Sequence, residues 1–167
     1  MRAESNGSAR VGIVVGSRSD IGAAERAMAV LDELGVDSEI RVISAHRAPD
    51  LLSRFIAGAG GRGIRVFIAI AGLAAHLPGV VASQTTRPVI GVPMAGGVSD
   101  GLDALLAIVQ MPKGVPVATV GVGNGENAAL LAAAILAVGD PALDARLAAR
   151  RMAQADAIAG DPANEGL

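Results

Sequence analysis

The chain has 167 residues, enough for one domain with a buried core, and half of them are apolar, which excludes a disordered protein. A net charge of −2 and only two aromatic residues leave neither a basic surface nor stacking side chains for nucleic acid. The absence of cysteine excludes disulfides and thiolate chemistry, and two widely separated histidines argue against a metal site. No apolar run is long enough to cross a bilayer, so we expect a cytoplasmic protein.

Strand-like and helix-like segments alternate five times along the chain. Short β-branched runs predict strands at 11–15, 38–43, 66–71, 89–92 and 117–120. Amphipathic or apolar segments predict helices at 21–34, 49–58, 77–83, 102–110, 127–138 and 141–159. This alternation predicts a parallel sheet with helices on both faces, because parallel strands need crossover connections. The sequence therefore predicts a single three-layer α/β/α domain over 10–159, with a disordered tail over 1–9 and a polar tail over 160–167.

The predicted helix at 127–138 is apolar on every side. A helix of this kind must be covered all round, and the sheet can cover only one side. We expect a second subunit to provide the remaining cover, which predicts a homo-oligomer. Burial beneath the C-terminal helix of the same chain is the alternative.

Polar side chains follow the ends of the first three predicted strands. Ligands bind at the carboxyl ends of strands in sheets of this class, so these residues are candidates for a common site. They are Ser17, Ser19, Asp20, Ser44, His46, Arg47 and His76. Histidine is suited to moving protons near neutral pH, and arginine to pairing with phosphate or carboxylate.

Four of these candidates also have a purely structural interpretation. Ser19 and Asp20 are common helix N-caps, Arg47 could be a solvated surface charge, and His76 could be a structural histidine. The glycine-rich segment 121–125 is interpreted as a turn, because it follows the last strand and lacks the acidic partner of a dinucleotide site.

Several long motifs, in register from about residue 11 to 138, resemble one enzyme family. The motifs are VGIVVGSRSD, VISAHRAPD, IAIAGLAAHLPGVVAS, TTRPVIGVP and GLDALLAIVQMPKGVPVATV. Together they resemble the N5-carboxyaminoimidazole ribonucleotide mutases of purine biosynthesis, the PurE family. The resemblance implies a flavodoxin-like parallel sheet, a homo-octamer, and no metal or organic cofactor. It also implies a small ribonucleotide substrate whose labile carbamate moves from the exocyclic nitrogen to a ring carbon.

The resemblance assigns roles to the first and third motifs. Ser17, Ser19 and Asp20 match the motif that contacts phosphate and ribose. Gly72 and His76 match the loop that borders the carboxylate, and His76 is the second catalytic candidate.

The second motif carries the principal catalytic candidate. Ser44, His46 and Arg47 match this motif, with His46 as the proton carrier and Arg47 on the phosphate. The reaction that these roles imply is decarboxylation in the site, recapture of carbon dioxide by the ring carbon, and removal of the ring proton.

The sequence also departs from the commonest bacterial pattern. Ile70 and Leu73 stand in a loop that is usually richer in glycine, and a lysine often found after the fourth strand is absent, as in archaeal-type members. Direct carboxylases of the animal type typically have lysine in place of Arg47 and lack the AAHLPG motif, so Arg47 and His76 favour the mutase. A direct carboxylase that uses carbon dioxide and a non-catalytic nucleotide-binding scaffold are the alternatives. A related pyridine dinucleotide carboxylase is expected to use a cysteine, which this chain lacks.

Overall fold

A computed structural model describes residues 10–165, so the predicted tail at 1–9 lies outside the described residues. Five parallel strands form one sheet in the order β2-β1-β3-β4-β5. They are β1 (Val11–Val15), β2 (Ser38–Val42), β3 (Val66–Ala71), β4 (Val89–Pro93) and β5 (Ala118–Thr119). This strand order is that of the flavodoxin-like fold, which confirms the predicted fold class.

Six α-helices follow the strands or extend the chain beyond them. They are α1 (Ile21–Glu33), α2 (Pro49–Ala57), α3 (Leu77–Ala82), α4 (Leu102–Val109), α5 (Gly125–Ala137) and α6 (Pro141–Ala159). The predicted order of elements is confirmed, although β5 has two residues where four were predicted. None of the helices within residues 10–165 is both long and apolar enough to cross a membrane.

Two apolar cores cover the two faces of the sheet. On one face, α1, α5 and the start of α6 pack against β1, β3 and β4. On the other face, α2, α3 and α4 pack against the same central strands. Because β1, β3 and β4 are buried along their whole length, their side chains are apolar on both faces.

Helix α5 is partly covered within the chain. It packs against α1, the sheet and α6, and its small residues Ala128, Ala129, Ala132 and Ala133 are fully buried. The alternative of burial beneath the C-terminal helix therefore accounts for part of its apolar surface. Leu130, Leu131 and Ile135 are only partly buried, and Val138, which follows the helix, is 91% exposed. Cover by a second subunit stays a prediction.

Helix α6 is fixed to the domain at its first half. The Asp140 carboxylate accepts hydrogen bonds from the backbone N–H of Leu143 at 3.1 Å and from Arg10 at 2.9 Å. The Leu143 N–H, and after it the Arg10 guanidinium, hold the pKa of Asp140 below its ordinary value. Arg146 donates to the Leu34 carbonyl, which ties α6 to the end of α1. From Arg151 to Ala163 every residue is exposed, so the second half of α6 projects from the domain.

Gly125, the first residue of α5, lies against the backbone of Ala23 in α1. A Cβ atom at this position would overlap the carbonyl oxygen of Ala23, a backbone atom that cannot rotate away. We expect Gly125→Ala to lower the free energy of unfolding by about 1–3 kcal/mol, as overpacking does elsewhere. Urea denaturation measures this difference. Gly139→Ala is the matched control, because no atom of residues 10–165 lies within 4 Å of the added methyl group. Equal stability of the two variants would contradict the close approach of α1 and α5.

Candidate active site

The loops after β1, β2, β3 and β4 surround one cleft of about 670 Å³ at the carboxyl edge of the sheet. The loops meet there because all the strands of a parallel sheet end at the same edge. The structure brings all eight predicted site residues to its lining. They are Ser17, Ser19, Asp20, Ser44, His46, Arg47, Gly72 and His76. Their roles in binding and catalysis stay predictions.

The loop after β1 presents two hydroxyls and a carboxylate to the cleft. Ser17 is extended and precedes a 3₁₀ turn at Arg18–Asp20, and its Oγ accepts the Ser19 backbone N–H at 3.4 Å. The Ser19 hydroxyl donates to Asp20 Oδ1 at 3.0 Å. Asp20 occupies the N-cap position of α1, yet its side chain makes no capping hydrogen bond. Capping therefore does not account for the carboxylate of Asp20.

Arg47 connects the loops after β1 and β2. The Ser44 Oγ accepts the Arg47 backbone N–H at 3.2 Å, which closes the turn between β2 and α2. The guanidinium reaches across to the first loop and donates to the Gly16 carbonyl at 3.1 Å. A guanidinium has five N–H donors, and within residues 10–165 this is the one hydrogen bond found for it. The remaining donors of this exposed group can bind an anion in the cleft.

The two histidines of the chain form a pair. Nε2 of His46 lies 2.8 Å from Nδ1 of His76, and the rings meet edge to face at 87° with centroids 4.9 Å apart. At this distance one nitrogen must donate and the other must accept, so one proton lies between the two rings. His76 is exposed at the cleft, so it is not a buried structural histidine. Because Nε2 of His46 is engaged with His76, Nδ1 is its nitrogen left for a ligand.

The cleft is also lined by glycine and apolar residues that were not predicted as site residues. Gly72 packs against the loop after β4, since a Cβ on Gly72 would be 3.3 Å from the Cβ of Met94. The additional lining residues are Gly16, Ala45, Ala71, Leu73, Ala74, Ala75, Leu77, Met94 and Ala95. The position of Met94 directly after β4, at the same sheet edge, is the signal that could have found it. Within residues 10–165 no cluster of three or more His, Asp or Glu side chains could hold a metal ion.

The fold and the cleft define a flavodoxin-like α/β protein whose strand ends carry a histidine pair, an arginine and a group of hydroxyls. The chain belongs to the AIR carboxylase family, whose model matches residues 10–157.

Two curated relatives and one crystal structure show how closely the chain follows this family. It is 51% identical over 154 residues to the N5-carboxyaminoimidazole ribonucleotide mutase of Mycobacterium tuberculosis, covering 92% of this chain and 88% of the relative. It is 59% identical over 128 residues to the mutase of the same name from Methanocaldococcus jannaschii, covering 77% and 79%. The crystal structure of Treponema denticola PurE2-S38D superposes with a TM-score of 0.86 at 27% identity, covering 94% of this chain and 98% of that chain.

Proposed function

We propose that this protein is an isomerase that converts N5-carboxyaminoimidazole ribonucleotide to 4-carboxy-5-aminoimidazole ribonucleotide in purine biosynthesis. The observation that carries the proposal is the histidine pair, 2.8 Å apart, beside Arg47 at the strand ends. The mutase and the alternative direct carboxylase both need an anion-binding group for the phosphate and a group that moves protons. The names of relatives at 51% and 59% identity favour the mutase.

The ribose phosphate half of the substrate binds at the loops after β1 and β2. The remaining donors of Arg47 bind the phosphate, together with the hydroxyls of Ser17 and Ser19. The Asp20 carboxylate accepts hydrogen bonds from the ribose hydroxyls. Ser44 fixes the turn that carries both Arg47 and His46, so phosphate binding also positions the proton carrier.

His46 donates one proton to the substrate and later accepts one from it. As the carbamate C–N bond breaks, His46 donates a proton to the exocyclic nitrogen, and carbon dioxide is released in the cleft. The ring carbon then attacks carbon dioxide, and the proton on that carbon returns to His46, which restores the aromatic ring. Atoms and protons balance without an added oxidant, reductant or co-reactant. His76 holds Nε2 of His46, which orients its free Nδ1 toward the reacting atoms.

The source of the carboxyl group distinguishes the two candidate reactions. We expect product formed from unlabelled substrate in ¹³C-bicarbonate buffer to contain little label during the first turnovers, because a mutase retains its own carbon dioxide. Mass spectrometry of the product measures the incorporated fraction. Full labelling in the first turnovers, with aminoimidazole ribonucleotide as the consumed substrate, would identify a direct carboxylase instead. No turnover with either substrate, together with retained nucleotide binding, would identify a scaffold.

We also propose that the chain assembles as a homo-octamer. The partly open side of α5 supports a subunit contact there, since Leu130, Leu131 and Ile135 stay partly accessible in the single chain. Light scattering at micromolar concentration is expected to give eight times the 16.5 kDa of one chain. A stable monomer would contradict assembly. A cytoplasmic location and a reaction without metal or organic cofactor stay predictions from the sequence.

A further inference from the structure

The cleft has a polar half and an apolar half. Its hydroxyls, carboxylate and guanidinium all come from the loops after β1 and β2. Apart from His76, the loops after β3 and β4 contribute only glycine and apolar residues, among them Leu73, Ala74, Ala75, Met94 and Ala95. The histidine pair lies between the halves, because His46 comes from the second loop and His76 from the third.

Leu73 is unusual in the apolar half, because Ala75 shares its positive φ but is buried. Leu73 is 64% exposed, and its backbone is left-handed with φ of 56°, a conformation that glycine adopts without strain and leucine rarely does. An exposed apolar side chain on a strained backbone contributes little to folding, so the position is a candidate for a functional role. The backbone N–H of Ala75 closes this turn by donating to the Gly72 carbonyl at 3.0 Å.

The Leu73 side chain reaches from the third loop to the fourth. A Cβ built on Gly97 would lie 3.1 Å from Cδ2 of Leu73, so the missing side chain of Gly97 makes room for the leucine. Gly97 itself has a positive φ of 67°, which glycine adopts without strain. The loops after β3 and β4 therefore meet through Leu73 on the apolar side of the cleft. Leu73 belongs to the same loop as His76.

We infer that Leu73 is a specificity-determining residue that retains carbon dioxide in the apolar half of the cleft between the two steps of the reaction. This inference rests on the proposed mutase function. Once the carbamate C–N bond has broken and the nitrogen has taken its proton, carbon dioxide either bonds to the ring carbon or escapes to solvent. It is small and uncharged, so an apolar wall holds it without competing hydrogen bonds and keeps water away. Escape leaves aminoimidazole ribonucleotide as the side product.

The test measures how each turnover divides between recapture and escape. Purified full-length enzyme is given N5-carboxyaminoimidazole ribonucleotide, and the ratio of aminoimidazole ribonucleotide to carboxylated product is determined by chromatography, with the enzyme-free breakdown subtracted. Leu73→Gly is expected to raise this ratio about tenfold, because the wall that excludes water is removed. Its thermal unfolding midpoint should not fall, since glycine accepts the left-handed backbone.

Two further variants separate this role from a general effect. Leu73→Met restores an apolar side chain of similar volume and is expected to return the ratio toward wild type. Leu106→Ala removes another exposed leucine, 45% accessible against 64% for Leu73, from α4 outside the cleft lining, and it should leave the ratio unchanged. A wild-type ratio in Leu73→Gly, or leakage from Leu73→Met as great as from Leu73→Gly, would overturn the inference. A wild-type protein that makes no carboxylated product would instead overturn the proposed function.

Discussion

Replacing His46 with asparagine is expected to lower kcat by about 10⁴-fold or more, while nucleotide binding and assembly persist. General acid–base catalysis is typically worth roughly 10²- to 10⁴-fold, and His46 serves both the protonation of nitrogen and the deprotonation of carbon. Asparagine retains a polar group of similar size but cannot carry the proton. Steady-state rates and calorimetric binding of the ribonucleotide, measured on the same preparation, separate the chemical step from binding.

His76→Asn is the matched control for the histidine pair, and it is expected to cost less than His46→Asn. In the structure His76 contacts His46 through Nδ1, so its loss removes orientation rather than the proton carrier itself. Because the two rings act as one unit, the double variant should be hardly slower than His46→Asn alone. A His46→Asn enzyme within tenfold of wild type, with His76→Asn inactive, would reverse the two assignments.

Replacing Arg47 with alanine is expected to weaken binding of the ribonucleotide by about 10- to 150-fold. A charge-assisted hydrogen bond is worth roughly 1.5–3 kcal/mol, which corresponds to this range of affinity. The structure adds a reason, because the guanidinium also bridges to the Gly16 carbonyl and holds two binding loops together. Calorimetry in the His46→Asn background measures affinity without turnover.

Arg54→Ala and Arg47→Lys are the controls for this prediction. Arg54 is an exposed arginine on α2 that does not line the cleft, so its removal should leave affinity unchanged. Arg47→Lys keeps the charge but loses the planar fork, and its affinity should fall between the other two variants. If Arg47→Ala binds as tightly as Arg54→Ala, Arg47 does not hold the phosphate.

The strands were predicted best where local sequence and tertiary environment require the same residues. β1 and β3 are continuous apolar runs because both of their faces are buried, and their bounds match the prediction. β5 is an edge strand that pairs with β4 through only two residues, and a β-branched run alone does not show where such pairing ends. α5 starts at Gly125 instead of the predicted residue 127, because the Asn124 side chain caps the helix by accepting the Asn127 backbone N–H at 2.9 Å.

The sequence predicted which residues lie at the candidate site, but it did not predict how their side chains are arranged there. The rule that ligands bind at strand ends located all three polar loops from the sequence, because it depends only on where strands stop. The 2.8 Å contact between His46 and His76 depends on loops 30 residues apart and on two ring orientations, which no local pattern contains. The left-handed backbone of Leu73 was equally inaccessible, since leucine normally predicts the opposite conformation.

The most direct test of the proposed reaction is a single-turnover experiment with substrate that carries ¹³C in its carbamate. NMR of the wild-type reaction is expected to show the labelled carbon leaving the exocyclic nitrogen and appearing on the ring carbon, with little label in bulk bicarbonate. The His46→Asn enzyme should bind the same substrate and leave the label on the nitrogen, apart from spontaneous breakdown. A wild-type reaction in which no labelled carbon reaches the ring would contradict the proposed function.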